Sequence, residues 1–182
     1  MDKLLLCSGS ETRANMLRER GIDFIQKSSL FDEETIIETD PKSFVYKATI
    51  GKYKSCLKNS SEFKKILVAD TVVTANGLIL RKANSESEAR KILELQSGNS
   101  VSILTATILK NGNREIIDLS STVYKFRKFD EVALNKFIDS GEWRGKAGAC
   151  MVEGFCGNFI ESVSGFESCA MGLSFEKIAR FL

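Results

Sequence analysis

Two asparagine-glycine pairs, Asn76-Gly77 and Asn111-Gly112, set the tightest limit on what this chain can fold into. Both residue types tolerate the left-handed backbone of a two-residue β-turn, so each pair, set between apolar runs, marks a hairpin. The first joins residues 66–74 to Leu78-Ile79-Leu80, and the second joins residues 101–110 to 115–126. A sheet containing two hairpins is not purely parallel. The first turn also sets a register: Ala75 opposite Leu78, Val73 opposite Leu80 and Thr71 opposite Lys82, which lands Lys82 one residue from Asp70.

Helical segments alternate with these strands. Residues 4–7 form a short buried strand, and S-G-S-E-T-R-A-N-M-L-R-E-R-G after it has a hydroxyl N-cap and a closing glycine, Gly21. Asp40-Pro41 supplies an N-cap and a first-turn proline for a helix to about Asn59, with Tyr46, Ile50, Tyr53 and Leu57 at helical spacing. Ser85 and Glu88 make a capping box for a helix ending near Gly98. Residues 130–140 place Leu134, Phe137 and Ile138 on one side of a helix closed by Gly141; a strand near 159–163 and a last helix from Ser174 follow. The expected class is a mixed α/β sheet with helices on its faces.

At 182 residues the chain matches about one domain of ordinary size. Residues 1–182 are therefore expected to form a single domain, any lobes sharing one sheet, with the loops around Gly98 and Phe129 as boundary candidates. The net charge of +2, from 26 Lys and Arg against 24 Asp and Glu, is too small for sequence-independent nucleic-acid binding. No run approaches the ~18 apolar residues of a membrane span. The five cysteines are odd in number and widely spread, which argues against a disulfide framework or a zinc ribbon and for a reduced, cytoplasmic compartment. The absence of histidine excludes His-based triads, His-ligated zinc and a His-activated thiol. Proton transfer then falls first to carboxylates.

Candidate chemistry clusters at a few positions. Ser8-Gly9-Ser10-Glu11-Thr12-Arg13 is a strand-to-helix junction suited to an anion, and plain helix capping explains the serines equally. Asp70 interrupts an apolar strand, where a metal ion, a lysine or a strand end opening into a cleft would compensate its charge, and a solvent-facing strand position is the plain alternative. Lys52 falls in the arc of Val45, Ala48 and Cys56, whereas Lys47, Lys54 and Lys58 lie on the far side. It either snorkels past the core edge or binds phosphate. Glu33, in the acidic stretch Asp32-Glu33-Glu34, is a solvated loop residue or, with Asp70, an oxygen ligand for a hard cation. Residues 141–147 (G-E-W-R-G-K-A) lack the spacing and terminal hydroxyl of a Walker loop.

Taken in order, these fragments resemble the Maf family of nucleoside triphosphate pyrophosphatases over nearly the whole chain. The resemblance rests on L-C-S-G-S-E-T-R-A-N-M-L, Asp32-Glu33, Lys52, Ala69-Asp70-Thr71-Val72-Val73, Lys82, Ser97-Gly98-Asn99, residues 141–149, Glu153-Gly154 and Gly172-Leu173. It implies a two-lobed fold around a cleft and Mg²⁺- or Mn²⁺-dependent cleavage of a nucleoside triphosphate to monophosphate and diphosphate. It also implies roles: Asp70 as general base and metal contact, Glu33 as second metal ligand, and Arg13, Lys52 and Lys82 as a cationic cradle. Ser8, Ser10 and Glu153 complete the expected substrate-binding set.

Several positions depart from the family pattern. Glu11 and Thr12 stand where Pro and Arg are frequent, Arg81-Lys82-Ala83 replaces Gly-Lys-Pro, and residues 100–105 lack the usual histidine. Glu153, in place of the glutamine of members resembling dTTP/UTP pyrophosphatases, is more similar to the branch cleaving 7-methyl-GTP. A homodimer is a further expectation. The rival to an enzyme is a non-catalytic nucleotide-binding regulator of cell division, of the septum-formation-inhibitor type, which would bind a nucleotide tightly without hydrolysing it.

Overall fold

A computed structural model describes residues 3–182. Seven strands form one mixed sheet: β1 (Leu4–Cys7), β2 (Phe24–Lys27), β3 (Lys65–Ala75), β4 (Leu78–Leu80), β5 (Ser100–Asn111), β6 (Arg114–Phe126) and β7 (Ile160–Ser164). Their order is β2-β1-β3-β5-β6-β7, with β4 added to β3. The helices are α1 (Glu11–Arg18), α2 (Pro41–Asn59), α3 (Glu86–Gln96), α4 (Glu131–Ser140), α5 (Glu167–Ala170) and α6 (Phe175–Ile178).

The chain divides into two compact units. One holds the chain up to Thr71 with Leu104–Ser121 and Phe166–Leu182, and the other holds Val72–Ile103 and Thr122–Gly165. The boundaries therefore fall within β3, β5 and β6 and ahead of α5, not at the loops around Gly98 and Phe129. Those strands, at 11 to 13 residues, are long enough to contribute to both units.

In the first unit β1 is parallel to β2 and to β3, with Leu4 opposite Phe24 and Lys65. Flanked on both edges, β1 reads as a continuous apolar run. Alternation along the strands then makes two cores. Leu4, Leu6, Leu67 and Ala69 pack with Met16 and Leu17 of α1 and with Leu173 and Ile178. Leu5, Cys7, Ile66, Val68 and Ile108 pack with Phe63 and with Tyr53 and Cys56 of α2. The stripe expected on α2 is displaced: Phe44, Val45, Ala48, Thr49, Tyr53 and Cys56 are buried, whereas Tyr46 is exposed.

In the second unit the Asn76-Gly77 turn has φ of 50° and 76°, and pairs Ala75 with Leu78 and Val73 with Leu80 as the sequence requires. The ladder stops there, and Lys82 bridges Ala147 instead of continuing opposite Thr71. Ser85 caps α3 by accepting from the Glu88 amide at 3.2 Å, and the Glu88 carboxylate turns back to the Asn84 amide at 2.8 Å. Phe126, Phe129, Phe137, Phe155 and Phe159 form an aromatic cluster beside buried Leu134 and Ile138.

Two cysteine pairs come together: Cys7 of β1 meets Cys56 of α2, and Cys150 meets Cys156, while Cys169 stands apart and is buried. Sequence spacing did not indicate that β1 and α2 meet face to face, which is what brings residues 49 apart into contact. Among the described residues no helix is long and apolar enough to cross a membrane.

Candidate active site

The alternation of β3 sorts the central residues. Asp70 continues the face of Ile66 and Val68, which α2 covers, while Thr71 continues the face of Leu67 and Ala69, which α1 covers. Asp70 consequently meets a side chain from α2 and Thr71 one from α1.

The α2 partner is Lys52, one helical turn before Cys56. Its ammonium donates to Asp70 Oδ1 at 2.6 Å and lies 2.5 Å from Glu33 Oε1. Glu33 opens a short 3₁₀ turn, Glu33–Thr35, which Asp32 caps by accepting from the Glu34 amide at 3.0 Å. A three-membered charge group thus spans a loop, a helix and a strand. Lys52 neither snorkels to solvent nor stands alone: its side chain is 15% exposed and that of Asp70 9%.

Asp70 Oδ2 is buried without a hydrogen-bond partner. Desolvation pushes the Asp70 carboxyl above the usual carboxylate range. Lys52 pulls it back, Glu33 reinforces the rise, and Arg13 opposes it from farther away. An acid of this kind has one oxygen fixed and one available.

The α1 partner is Arg13. Ser10 caps α1 by accepting from the Arg13 amide at 3.4 Å, so the capping explanation of that serine holds. The Arg13 side chain turns inward and is gripped on three sides. Nε donates to the Gly172 carbonyl at 2.6 Å, Nη1 to Ser8 Oγ at 3.0 Å and Nη2 to Thr71 Oγ1 at 3.0 Å. Ser8 therefore orients the arginine besides accepting from the Ser10 amide. Three of five guanidinium N–H groups are spent, leaving two for an anion. Burial lowers the Arg13 pKa, and the charges of Asp70 and Glu33 oppose that; an arginine nonetheless stays cationic.

Behind Arg13 runs a directed relay that the sequence did not reveal. Thr105 donates to the Cys169 carbonyl at 2.7 Å, so it must accept from Thr71 at 2.8 Å, and Thr71 in turn accepts from Arg13. Gly172 makes room for this: a Cβ there would stand 3.2 Å from both Arg13 Nη2 and Thr71 Oγ1. The only sequence signal for Thr105 is a hydroxyl within the apolar run of β5, and threonine is too common in strands for that to discriminate.

Lys82 and Glu153 belong to the second unit. Both are exposed; Glu153 sits in the turn ahead of the 3₁₀ segment Phe155–Phe159. Glu33, Lys52 and Asp70 of the predicted set are in direct contact, and Ser8, Ser10 and Arg13 form a second connected group in the same unit.

The donor set fits a hard divalent cation. Asp70 Oδ2 is an unclaimed buried carboxylate oxygen, and Glu33 brings a second carboxylate to the same lysine. Among the described residues no group of three or more His, Cys, Asp or Glu gathers as a ready-made cage. Two carboxylates completed by water and substrate phosphate are the usual environment of Mg²⁺.

Two carboxylates linked through Lys52, with the buried Arg13 guanidinium in the same unit, are groups chemically suited to a metal-bound polyanion. The chain matches the family model described as Maf-like protein over residues 3–182, and it belongs to that family. It is 49% identical over 176 residues to a protein of a Nitratiruptor species named nucleoside triphosphate pyrophosphatase, covering 96% of this chain and 95% of that one. Proteins of the same name are 38% identical in a strain of Helicobacter pylori, covering 96% and 92%, and 36% identical in Campylobacter jejuni subsp. doylei, covering 98% and 100%.

Proposed function

We propose that this protein is a nucleoside triphosphate pyrophosphatase that uses Mg²⁺ or Mn²⁺ to hydrolyse a modified or non-standard nucleotide to its monophosphate and diphosphate. The observation that carries the reading is Asp70, a buried carboxylate with Oδ1 on Lys52 and Oδ2 unclaimed. The names of the relatives at 36–49% identity support it.

In this reading Asp70 accepts a proton from the water that attacks the α-phosphorus. The new bond is water oxygen to phosphorus; the bond that breaks is from the α-phosphorus to the bridging oxygen, which leaves with the diphosphate. Glu33 and Asp70 Oδ2 would hold the cation, which supplies charge neutralisation on the phosphates when bound. Arg13, with two N–H groups uncommitted, and Lys52 and Lys82 bind phosphate oxygens, with Ser8 and Ser10 shaping the junction beneath them.

Glu153 is assigned to the base. Its carboxylate matches the N1–H and amino donors of guanine, a pattern uracil and thymine do not offer. A soluble nucleotide pool in the cytoplasm and a homodimeric assembly complete the proposal.

Diphosphate release should be measured over 7-methyl-GTP, UTP, dTTP and modified CTP with either cation. Turnover is expected, highest for 7-methyl-GTP, and Asp70→Asn should lower it by about 10² or more, the usual worth of a positioned base. Unchanged turnover in Asp70→Asn would refute the assignment. Tight nucleotide binding by the wild type without hydrolysis would replace the enzyme with the regulator.

A further inference from the structure

Gly51 occupies the interior of α2, one residue before Lys52, where glycine weakens a helix relative to alanine. The space that an alanine would need is taken. A Cβ at Gly51 would stand 2.3 Å from Phe31 Cζ, 2.4 Å from Cε2 and 2.6 Å from Cε1. The Phe31 ring therefore rests on the bare helix backbone, at the residue next to the lysine that pairs with Glu33.

Phe31 is two residues ahead of Glu33, and the segment meets α2 through the ion pairs Glu33–Lys52 and Glu38–Lys47 and through the Phe31 ring, its other hydrogen bonds being largely internal. The Phe31 amide donates to Ser29 Oγ, the Thr35 hydroxyl to the Asp32 carbonyl, and the Ile36 amide to the Glu33 carbonyl. Two surface hollows, of about 610 and 540 Å³, open between this segment and α2, and both are lined by Phe31 and Gly51. The loop thus stands off the helix, and the ring is the strut between them. Leu30 and Ile37, its apolar neighbours, are largely exposed and add no comparable anchor.

We infer that the seat of Phe31 on Gly51 is a latch that sets the Glu33 carboxylate against Lys52 and Asp70, which makes Phe31 a positioning residue for the reaction. The inference rests on the reading of Glu33 as a cation ligand. A glycine kept in mid-helix at a cost in helix stability is the signature of the latch, because the ring reaches the backbone only where no side chain intervenes.

The test is Gly51→Ala, with Phe31→Val in a separate chain as an independent removal of the ring. Alanine is the better helix former, so the variant should be no less thermally stable than wild type. Displacing the ring should speed amide hydrogen exchange at residues 31–36 without changing it in α3 or α4. It should also weaken Mn²⁺ binding, followed by the electron paramagnetic resonance of the free ion, by about tenfold or more, the usual effect of disturbing a ligand's support. Phe31→Val alone should reproduce both changes, because the shorter side chain no longer reaches the helix backbone.

Unaltered exchange and Mn²⁺ affinity in Gly51→Ala would overturn the latch. So would altered exchange with unaltered affinity, since Glu33 would then not depend on the ring. The enzymatic reading fails differently: if Gly51→Ala loses Mn²⁺ affinity as expected but the wild type releases no diphosphate, the latch stands and the proposed reaction falls.

Discussion

Among the site residues, direction matters more than identity. Lys52 was legible because the 3.6-residue period separates it from Lys47, Lys54 and Lys58, and the structure places it between Glu33 and Asp70. Thr105 was not legible, because what distinguishes it is a hydrogen-bond direction that depends on Cys169, 64 residues away. Since the Cys169 carbonyl takes the Thr105 proton, the Thr71 proton goes to Thr105 and its lone pair receives Arg13. Thr105→Val keeps the shape and removes the relay. The buried Cys169 carbonyl loses its Thr105 donor and the half-buried Thr71 hydroxyl its acceptor, so stability should fall by about 1–3 kcal/mol in urea unfolding, with little change in the denaturant slope. KM for the nucleotide should rise with it as Arg13 loosens, whereas Thr105→Ser should retain most of both. A Thr105→Val protein with wild-type stability and KM would show that the relay orients nothing.

At the level of elements, those with strong local signals were found where the sequence placed them: β1, α2 with its Asp40 cap, α3, α4 closed by Gly141, and the Asn76-Gly77 hairpin. The misses have physical reasons. Strand β2 is four half-buried or exposed residues, Phe24–Lys27, whose extended form depends on pairing with β1 rather than on any pattern of its own. The second turn lies one residue later than Asn111-Gly112, at Gly112 and Asn113, because Asn111 is still in β5. The last helix, expected from Ser174, is α6 followed by a terminal 3₁₀ turn, and the short α5 ahead of it had no signal in the sequence reading. Helix α2 is also tied to β6 by a hydrogen bond from the Tyr53 hydroxyl to the Glu115 carboxylate. Burial and that carboxylate together raise the Tyr53 pKa above its ordinary value. The native state therefore keeps the phenolic proton where the unfolded chain has released it, so this contribution is complete below the unfolded pKa of about 10 and is lost as pH rises beyond it. Tyr53→Phe should lose only about 0.5–1.5 kcal/mol at pH 7, and should show a shallower alkaline fall in stability than wild type above pH ~10. Identical alkaline limbs would show that Tyr53 does not link the helix to the strand in solution.

For the whole molecule, the lack of histidine isolates one titration. No side chain of ordinary pKa changes charge between about pH 5 and 8 in such a chain. Among the described residues the carboxyls of Asp40 and Glu62 are shifted down, chiefly by backbone hydrogen bonds, and that of Asp70 is shifted up by burial. The two directions act at different pH. Asp40 and Glu62 contribute stability above their unfolded values, and it is lost only as pH falls through their lowered native ones. Native Asp70 holds its proton after the unfolded chain, with a pKa of about 3.9, has released it, so stability declines as pH rises from there through the raised native value. Asp70→Asn removes that decline while keeping an oxygen for Lys52. Urea unfolding at a series of pH values should therefore find the variant's advantage smallest in acid, widening as pH rises and constant once wild-type Asp70 is ionised. The buried charge that the proposed reaction requires of Asp70 is thus expected to lower the stability of the fold once that carboxyl ionises. A stability difference independent of pH would mean that Asp70 titrates as an ordinary carboxylate, and the burial argument for its role as base would fail with it.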